Sequence, residues 1–179
     1  MCPANNPDNT TGYLQIYTGN GKGKTTAALG LALRAAAAGK RVFIGQFVKG
    51  MHYSELDLID RIPGLTLQQY GRGCFIQGPP QEADRSAARE GLRRMAAILA
   101  DGHHDVVVMD EVCIALYFQL IALRDVRRAI TGRAPHVEVI LTGRYAPQEL
   151  IDMADLVTEM REVKHYYNRG VEARTGIEK

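Results

Sequence analysis

Thr18-Gly19-Asn20-Gly21-Lys22-Gly23-Lys24-Thr25-Thr26 joins two stretches of different character. Before it, Tyr13–Thr18 (YLQIYT) is short and rich in apolar and aromatic residues, which predicts a strand. After it, Lys24–Ala38 is dense in alanine and leucine, which predicts a helix stopped at Gly39. Strand, glycine turn and helix are the context in which the phosphate-loop pattern G-x-x-x-x-G-K-[S/T] has physical content. Gly23, Lys24 and Thr25 fill its last three positions, while Thr18 stands where the first glycine is expected.

Each part of the loop has a task. With no Cβ at Gly21 and Gly23, successive N–H groups of the Asn20–Gly23 turn can converge on anionic oxygens. The helix that follows adds free N–H groups and its dipole. Lys24 supplies a mobile positive charge, and Thr25 a hydroxyl in the usual place for Mg²⁺. Lys22 reads either as a phosphate contact or as a solvated loop lysine. Thr26 reads either as a second hydroxyl contact or as part of the helix's first turn.

Working outward, strand and helix signals alternate. Strands are expected at Arg41–Phe47, Leu65–Tyr70, Asp105–Met109, Val137–Thr142 and Leu156–Met160. Helices are expected at Ser54–Arg61, Glu82–Ala100, Val112–Leu120, Leu123–Ile130 and Pro147–Ala154. In the helix after Glu82, Ala88, Leu92, Met95 and Leu99 form one apolar stripe. This alternation predicts an α/β fold: a mostly parallel sheet flanked by helices, a P-loop nucleotide-binding fold of RecA-like type. Ligands on such a sheet gather at the carboxyl ends of its strands. One of those ends carries Asp110-Glu111, closing the apolar run Val106–Met109. A carboxylate there can hold Mg²⁺ directly or through water, and its neighbour can bind the metal's water or act as a base. These residues together specify a nucleoside triphosphate with Mg²⁺, without saying what becomes of it.

Composition narrows the field. The 179 residues are 46% hydrophobic and 23% charged, with 22 Lys and Arg against 20 Asp and Glu, a net charge of +2. That excludes a polybasic tail, and no aromatic–basic cluster points to nucleic acid. No apolar run approaches the roughly 18 residues of a membrane span. Residues 1–11 are polar, hold two prolines and predict a flexible leader to a single domain over 12–179. Cysteines at 2, 74 and 113 form no CxxC and no pairing framework, which fits a reducing, cytoplasmic setting. His103 and His104 have no further ligands at zinc spacing.

The segments TGNGKGKTTAA (18–28), QFVKG (46–50), MDE (109–111), TGR (142–144), EVKH (162–165) and Gly170, Ala173, Gly176 and Ile177 together resemble the P-loop ATP:corrinoid adenosyltransferases. The likeness runs from about Tyr13 to the C-terminus. It implies that Co(I) of a reduced corrinoid attacks C5′ of ATP, that the adenosyl group moves to cobalt, and that triphosphate leaves. It also implies that ATP is held in reverse relative to ordinary P-loop enzymes. The resemblance assigns phosphate and metal handling to the loop, Thr25 and Glu111, and a place near the nucleotide to Arg34. Lys49 matches the lysine of the family's QF-x-KG segment and, after a strand, is placed for ligand contact; Arg144, after the strand VEVILT, reads either as a ligand-side residue of a parallel sheet or as a solvent-facing turn arginine. The resemblance further implies a reductant or flavoprotein electron donor and a homodimer. Family members carry a Phe-x-Trp pair in the corrinoid pocket, but this chain has no tryptophan. Cys74-Phe75-Ile76 occupy that place, with Phe75 either an apolar surface against the corrin or an anchor for its own loop. The rival expectation is a P-loop phosphotransferase or ATPase, which would release ADP or phosphate.

Overall fold

The computed structural model describes residues 11–59, 61–73 and 78–178. The expected leader therefore lies almost wholly outside the described residues, as do Cys74, Phe75 and Ile76 of the corrinoid-pocket expectation.

Six strands form the sheet: β1 Leu14–Thr18, β2 Val42–Phe47, β3 Leu65–Tyr70, β4 Val106–Asp110, β5 Glu138–Thr142 and β6 Leu156–Glu159. The helices are α1 Lys24–Ala37, α2 Leu56–Ile59, α3 Glu82–Asp101, α4 Val112–Tyr117, α5 Leu123–Thr131 and α6 Gln148–Ile151. A short 3-10 turn, Tyr166–Arg169, follows. Every strand pair is parallel, in the order β3-β2-β4-β5-β1-β6. This is the α/β P-loop arrangement the sequence predicts.

The central strands are apolar because both of their faces are covered. All of β2 and β4 is buried. The two-residue period then sorts side chains between two cores. Val106 and Val108 of β4 turn toward the small Ala28, Ala32 and Ala35 stripe of α1. Val107 and Met109 turn the other way, onto α3, α4 and α5. The predicted α3 stripe is buried there, and Met95 and Leu99 are fully enclosed. Each such side chain contributes about 1.5–3 kcal/mol over its exposed form. Packing is tight: a Cβ on Gly45 of β2 would lie 2.4 Å from Met95 Sδ.

Three helices are shorter than the sequence predicts. Where Ser54–Arg61 is expected to be helical, only α2 forms. The expected Pro147–Ala154 helix reduces to α6, because Asp155 is claimed by β1: its N–H donates to Leu14 O and its carboxylate accepts from Leu14 N at 2.8 Å. Helix α4 stops at Tyr117 rather than Leu120, since Gln119 turns left-handed at φ 53°.

Candidate active site: a phosphate loop over a buried carboxylate

All six strands run the same way, so the turns after β1, β2, β4 and β5 open on one edge of the sheet. Two glycines shape the first of these turns. Gly19 adopts φ 95° and Gly23 φ 119°, both in the region that favours glycine. A Cβ on Gly19 would sit 2.4 Å from Met160 O. The loop is thus pressed against the chain leaving β6, and Gly21 N donates to that same Met160 O at 2.7 Å. Thr18, in the expected glycine's place, is the last residue of β1 and is buried. Its carbonyl accepts from Met160 N at 2.8 Å. The required left-handed turn falls one residue later.

Lys24 opens α1 and is buried. Its Nζ donates to Gly19 O at 2.7 Å and Gly21 O at 2.8 Å, curling the loop around the ammonium. Burial lowers its pKa, against the opposing pull of the Glu111 and Asp110 carboxylates. Thr25 Oγ1 donates to Asp110 Oδ1 at 2.9 Å, linking loop and β4.

Asp110 is the centre of the arrangement and is 1% exposed. Its Oδ1 also accepts from Thr142 Oγ1 at 2.7 Å. Its Oδ2 accepts from Lys49 Nζ at 2.8 Å and Gln46 Nε2 at 3.2 Å. A buried carboxylate is tolerable only when paired and hydrogen-bonded, and four donors meet that demand. Burial works against the Lys49 charge, yet Asp110, with Glu55 and Glu111 behind it, outweighs burial and holds the ammonium above its ordinary value. Lys49 also lies 3.8 Å from Glu55 and 5.1 Å from the centre of the Tyr53 ring.

Glu111 follows at φ 57°, passing directly from β4 into α4, and its N–H donates to Thr142 Oγ1 at 2.9 Å. Burial and the neighbouring Asp110 charge raise its pKa; Lys49, Lys24 and Arg144 oppose the rise. Val48 after β2 (φ 64°) and Tyr145 after β5 (φ 59°) share the left-handed turn. Such conformations cost of order 1–3 kcal/mol for residues with a side chain and collect at functional sites. Here three of the four left-handed non-glycine residues close strands on this one edge, among the described residues.

Lys24, Thr25, Lys49, Asp110 and Glu111 are therefore brought together, with Arg144 exposed at the end of β5 but within electrostatic reach of Lys24 and Glu111. Asn20 and Thr26 are exposed on the loop and the first turn of α1. Arg34 is not brought here. It lies ten residues beyond Lys24 on the same helix, about 15 Å along its axis, where its charge acts on Tyr17. The Lys22 ammonium is held by Tyr166 and Glu178 of the C-terminal segment. His165 caps the 3-10 turn, its Nδ1 accepting from Tyr167 N. Phe75 lies outside the described residues.

Sequence reasoning missed Thr142, Gln46, Tyr166 and Glu178. A signal existed for the first two: each is a polar residue that follows an apolar run near the carboxyl end of its strand, VILT (139–142) and VFIGQF (42–47). Cys113 is buried beyond Glu111, and burial pushes its thiol up to about 12.

The family model for the ATP:corrinoid adenosyltransferases BtuR/CobO/CobP matches residues 10–178. A protein named corrinoid adenosyltransferase from Escherichia coli K12 is 37% identical over 168 residues, covering 93% of this chain and 85% of that protein. The corrinoid adenosyltransferase CobA of Salmonella typhimurium is 38% identical with the same coverage. A Pseudomonas aeruginosa corrinoid adenosyltransferase is 35% identical, covering 93% of this chain and 83% of its own length.

Proposed function

The chain belongs to the ATP:corrinoid adenosyltransferase family, and from that premise we propose that it transfers the 5′-deoxyadenosyl group of ATP to the Co(I) centre of a corrinoid in cobalamin biosynthesis or salvage. The cobalt lone pair forms the Co–C5′ bond. The C5′–O bond breaks, and its electron pair leaves on inorganic triphosphate.

One observation carries this reading: the phosphate loop curls around the Lys24 ammonium, and Thr25 beside it hydrogen-bonds to the buried Asp110 at the carboxyl edge of a parallel sheet. A departing triphosphate concentrates negative charge, and preorganised donors aimed at that charge lower the barrier. Lys24 and the loop N–H groups supply such donors. Arg144 adds a second cation just past the end of β5, and Lys49 holds the Asp110 carboxyl group in place behind Thr25. The nucleophile comes with the substrate, so no activated side chain is required. Cys113, buried with its thiol at about 12, is unsuited to that role.

Mg²⁺ is part of the proposal. Thr25 Oγ1 and the Asp110 and Glu111 carboxylates are hard oxygen donors of the kind it takes. Asp110 already accepts from four groups. It therefore suits the ion's outer shell, with Thr25 and phosphate oxygens nearer. When bound, the ion would neutralise charge on the departing phosphates. The same reading includes one catalytic domain over residues 12–179, a homodimer, a reductant or flavoprotein electron donor, and a cytoplasmic setting. Among the described residues no helix is long and apolar enough to cross a membrane.

The test is anaerobic incubation with ATP, Mg²⁺ and chemically reduced corrinoid. The optical spectrum should report a cobalt–carbon bond, with triphosphate released in equal amount. Intact ATP, or ADP as the sole product, would overturn the reading.

A further inference from the structure

The C-terminal segment ends in a cluster with no place in the transfer chemistry. Glu178 Oε1 accepts from Lys22 Nζ at 2.8 Å and, closely, from the Tyr166 hydroxyl. Its Oε2 accepts from Arg174 N at 2.9 Å and Nε at 3.4 Å, and Arg174 Nη2 reaches Oε1 at 3.3 Å. Lys22 Nζ also meets the Tyr166 hydroxyl at 3.0 Å. The Arg174 guanidinium lies 5.0 Å from the centre of the Tyr166 ring, and Lys22 Nζ 5.7 Å from it. One carboxylate thus gathers an ammonium, a guanidinium and a phenol, as a phosphate group would. Lys22 belongs to the phosphate loop itself, between Gly21 and Gly23. The second tie is Gly21 N to Met160 O, from the chain entering this segment.

We propose that Glu178 is a carboxylate latch that competes with the terminal oxygens of a polyphosphate for Lys22, so that loading of the loop unlatches residues 161–178 and relatching favours release of triphosphate. The inference rests on the reading above that the loop holds a polyphosphate. Surface position makes the latch displaceable: Lys22 is 38% exposed and Glu178 17%. Ion pairs at such sites are worth little, so a ligand with several negative charges can outbid one carboxylate. The carboxylate and the phosphate cannot share Lys22 without placing like charges side by side. Arg174 and Tyr166, freed from Glu178, turn their donors toward the same anion.

The test is the affinity of the full chain for inorganic triphosphate, by titration calorimetry, with Glu178→Gln and with a chain ending at Ile177. Both variants should bind about threefold to tenfold more tightly and release triphosphate correspondingly more slowly. In a Lys22→Ala background the Glu178→Gln gain should disappear, which a merely structural role of Glu178 would not produce. Amide exchange at Tyr166–Arg174 should quicken when triphosphate binds the unmodified chain. Equal or weaker binding by both variants, with the unmodified chain binding normally, overturns the latch alone. An unmodified chain that fails to bind triphosphate overturns the latch and the phosphate-loop reading together.

Discussion

Two lysine–carboxylate pairs flank the phosphate loop at the same distance, 2.8 Å, yet in opposite surroundings. Lys49–Asp110 is enclosed, its carboxylate 1% exposed, with Thr25, Thr142 and Gln46 completing the shell. Lys22–Glu178 lies at the surface, fastened by Tyr166 and Arg174. Distance alone would rank them equal; burial separates them. Water competes for the outer pair, so breaking it costs little. Asp110, at 1% exposed, has almost no water to fall back on, so removing Lys49 strands its charge. The first geometry suits a fixture that holds the site in place, the second a contact made to be exchanged.

The comparison breaks most visibly under truncation of each lysine. Lys49→Ala should destabilise the fold by about 3–5 kcal/mol, a fall in thermal midpoint of roughly 6–20 °C. Lys22→Ala should move it by about 1 kcal/mol or less. Equal losses in thermal unfolding would erase the distinction. Lys24→Ala probes a third lysine, bonded to loop carbonyls rather than to a carboxylate. It should lower kcat for adenosyl transfer by about 10²–10³ while the fold persists by circular dichroism. Thr142→Val removes a donor to Asp110 and the acceptor of the Glu111 N–H, at nearly constant volume. It should cost about 1–3 kcal/mol in denaturant unfolding. An unchanged midpoint would mean the inner shell is less dependent on each donor than its burial implies.

Smaller effects sharpen the outer pair. Raising salt from about 0.05 to 0.5 M shortens the screening length severalfold. Amide exchange at Tyr166–Arg174 should rise while that of β4 stays constant. The pH response has a definite sign. Arg174, Lys22 and Tyr166 hold the Glu178 carboxyl well below its ordinary value of 4.5. A depressed carboxylate pKa gives a contribution that is complete above that ordinary value and is lost progressively as pH falls from it through the depressed one. The segment should therefore be as protected at about pH 6 as at pH 7, after correction for intrinsic exchange rates, and lose protection only below about pH 4.5. Loss of protection already at about pH 6 would show that the three partners do not act together.

Much of this was legible in advance. Strand periodicity, alanine-rich helix signals and glycine turns placed β1, α1, β2, β3, α3, β4, α5 and β5 within a residue or two, because those signals are local. The site's inner members Lys24, Thr25, Asp110 and Glu111 followed from the same reading, since strand ends in a parallel sheet share one edge. What failed was set by a distant partner: α6 ends at Ile151, short of the expected Ala154, where β1 claims Asp155.

By itself the sequence determined the α/β order, the glycine loop between β1 and α1, and the acidic strand end beside it. Each is written in residues a few places apart, through backbone preference and periodic burial. Only the tertiary structure decided which charges meet. Thr25 and Asp110 are 85 residues apart, and Lys22 and Glu178 are 156 apart. No spacing rule spans such distances, because side-chain encounters depend on strand order and on how the chain returns across its own edge. Water settled the rest: enclosed by the sheet, one ion pair became a fixture, and left at the surface, the other became a latch.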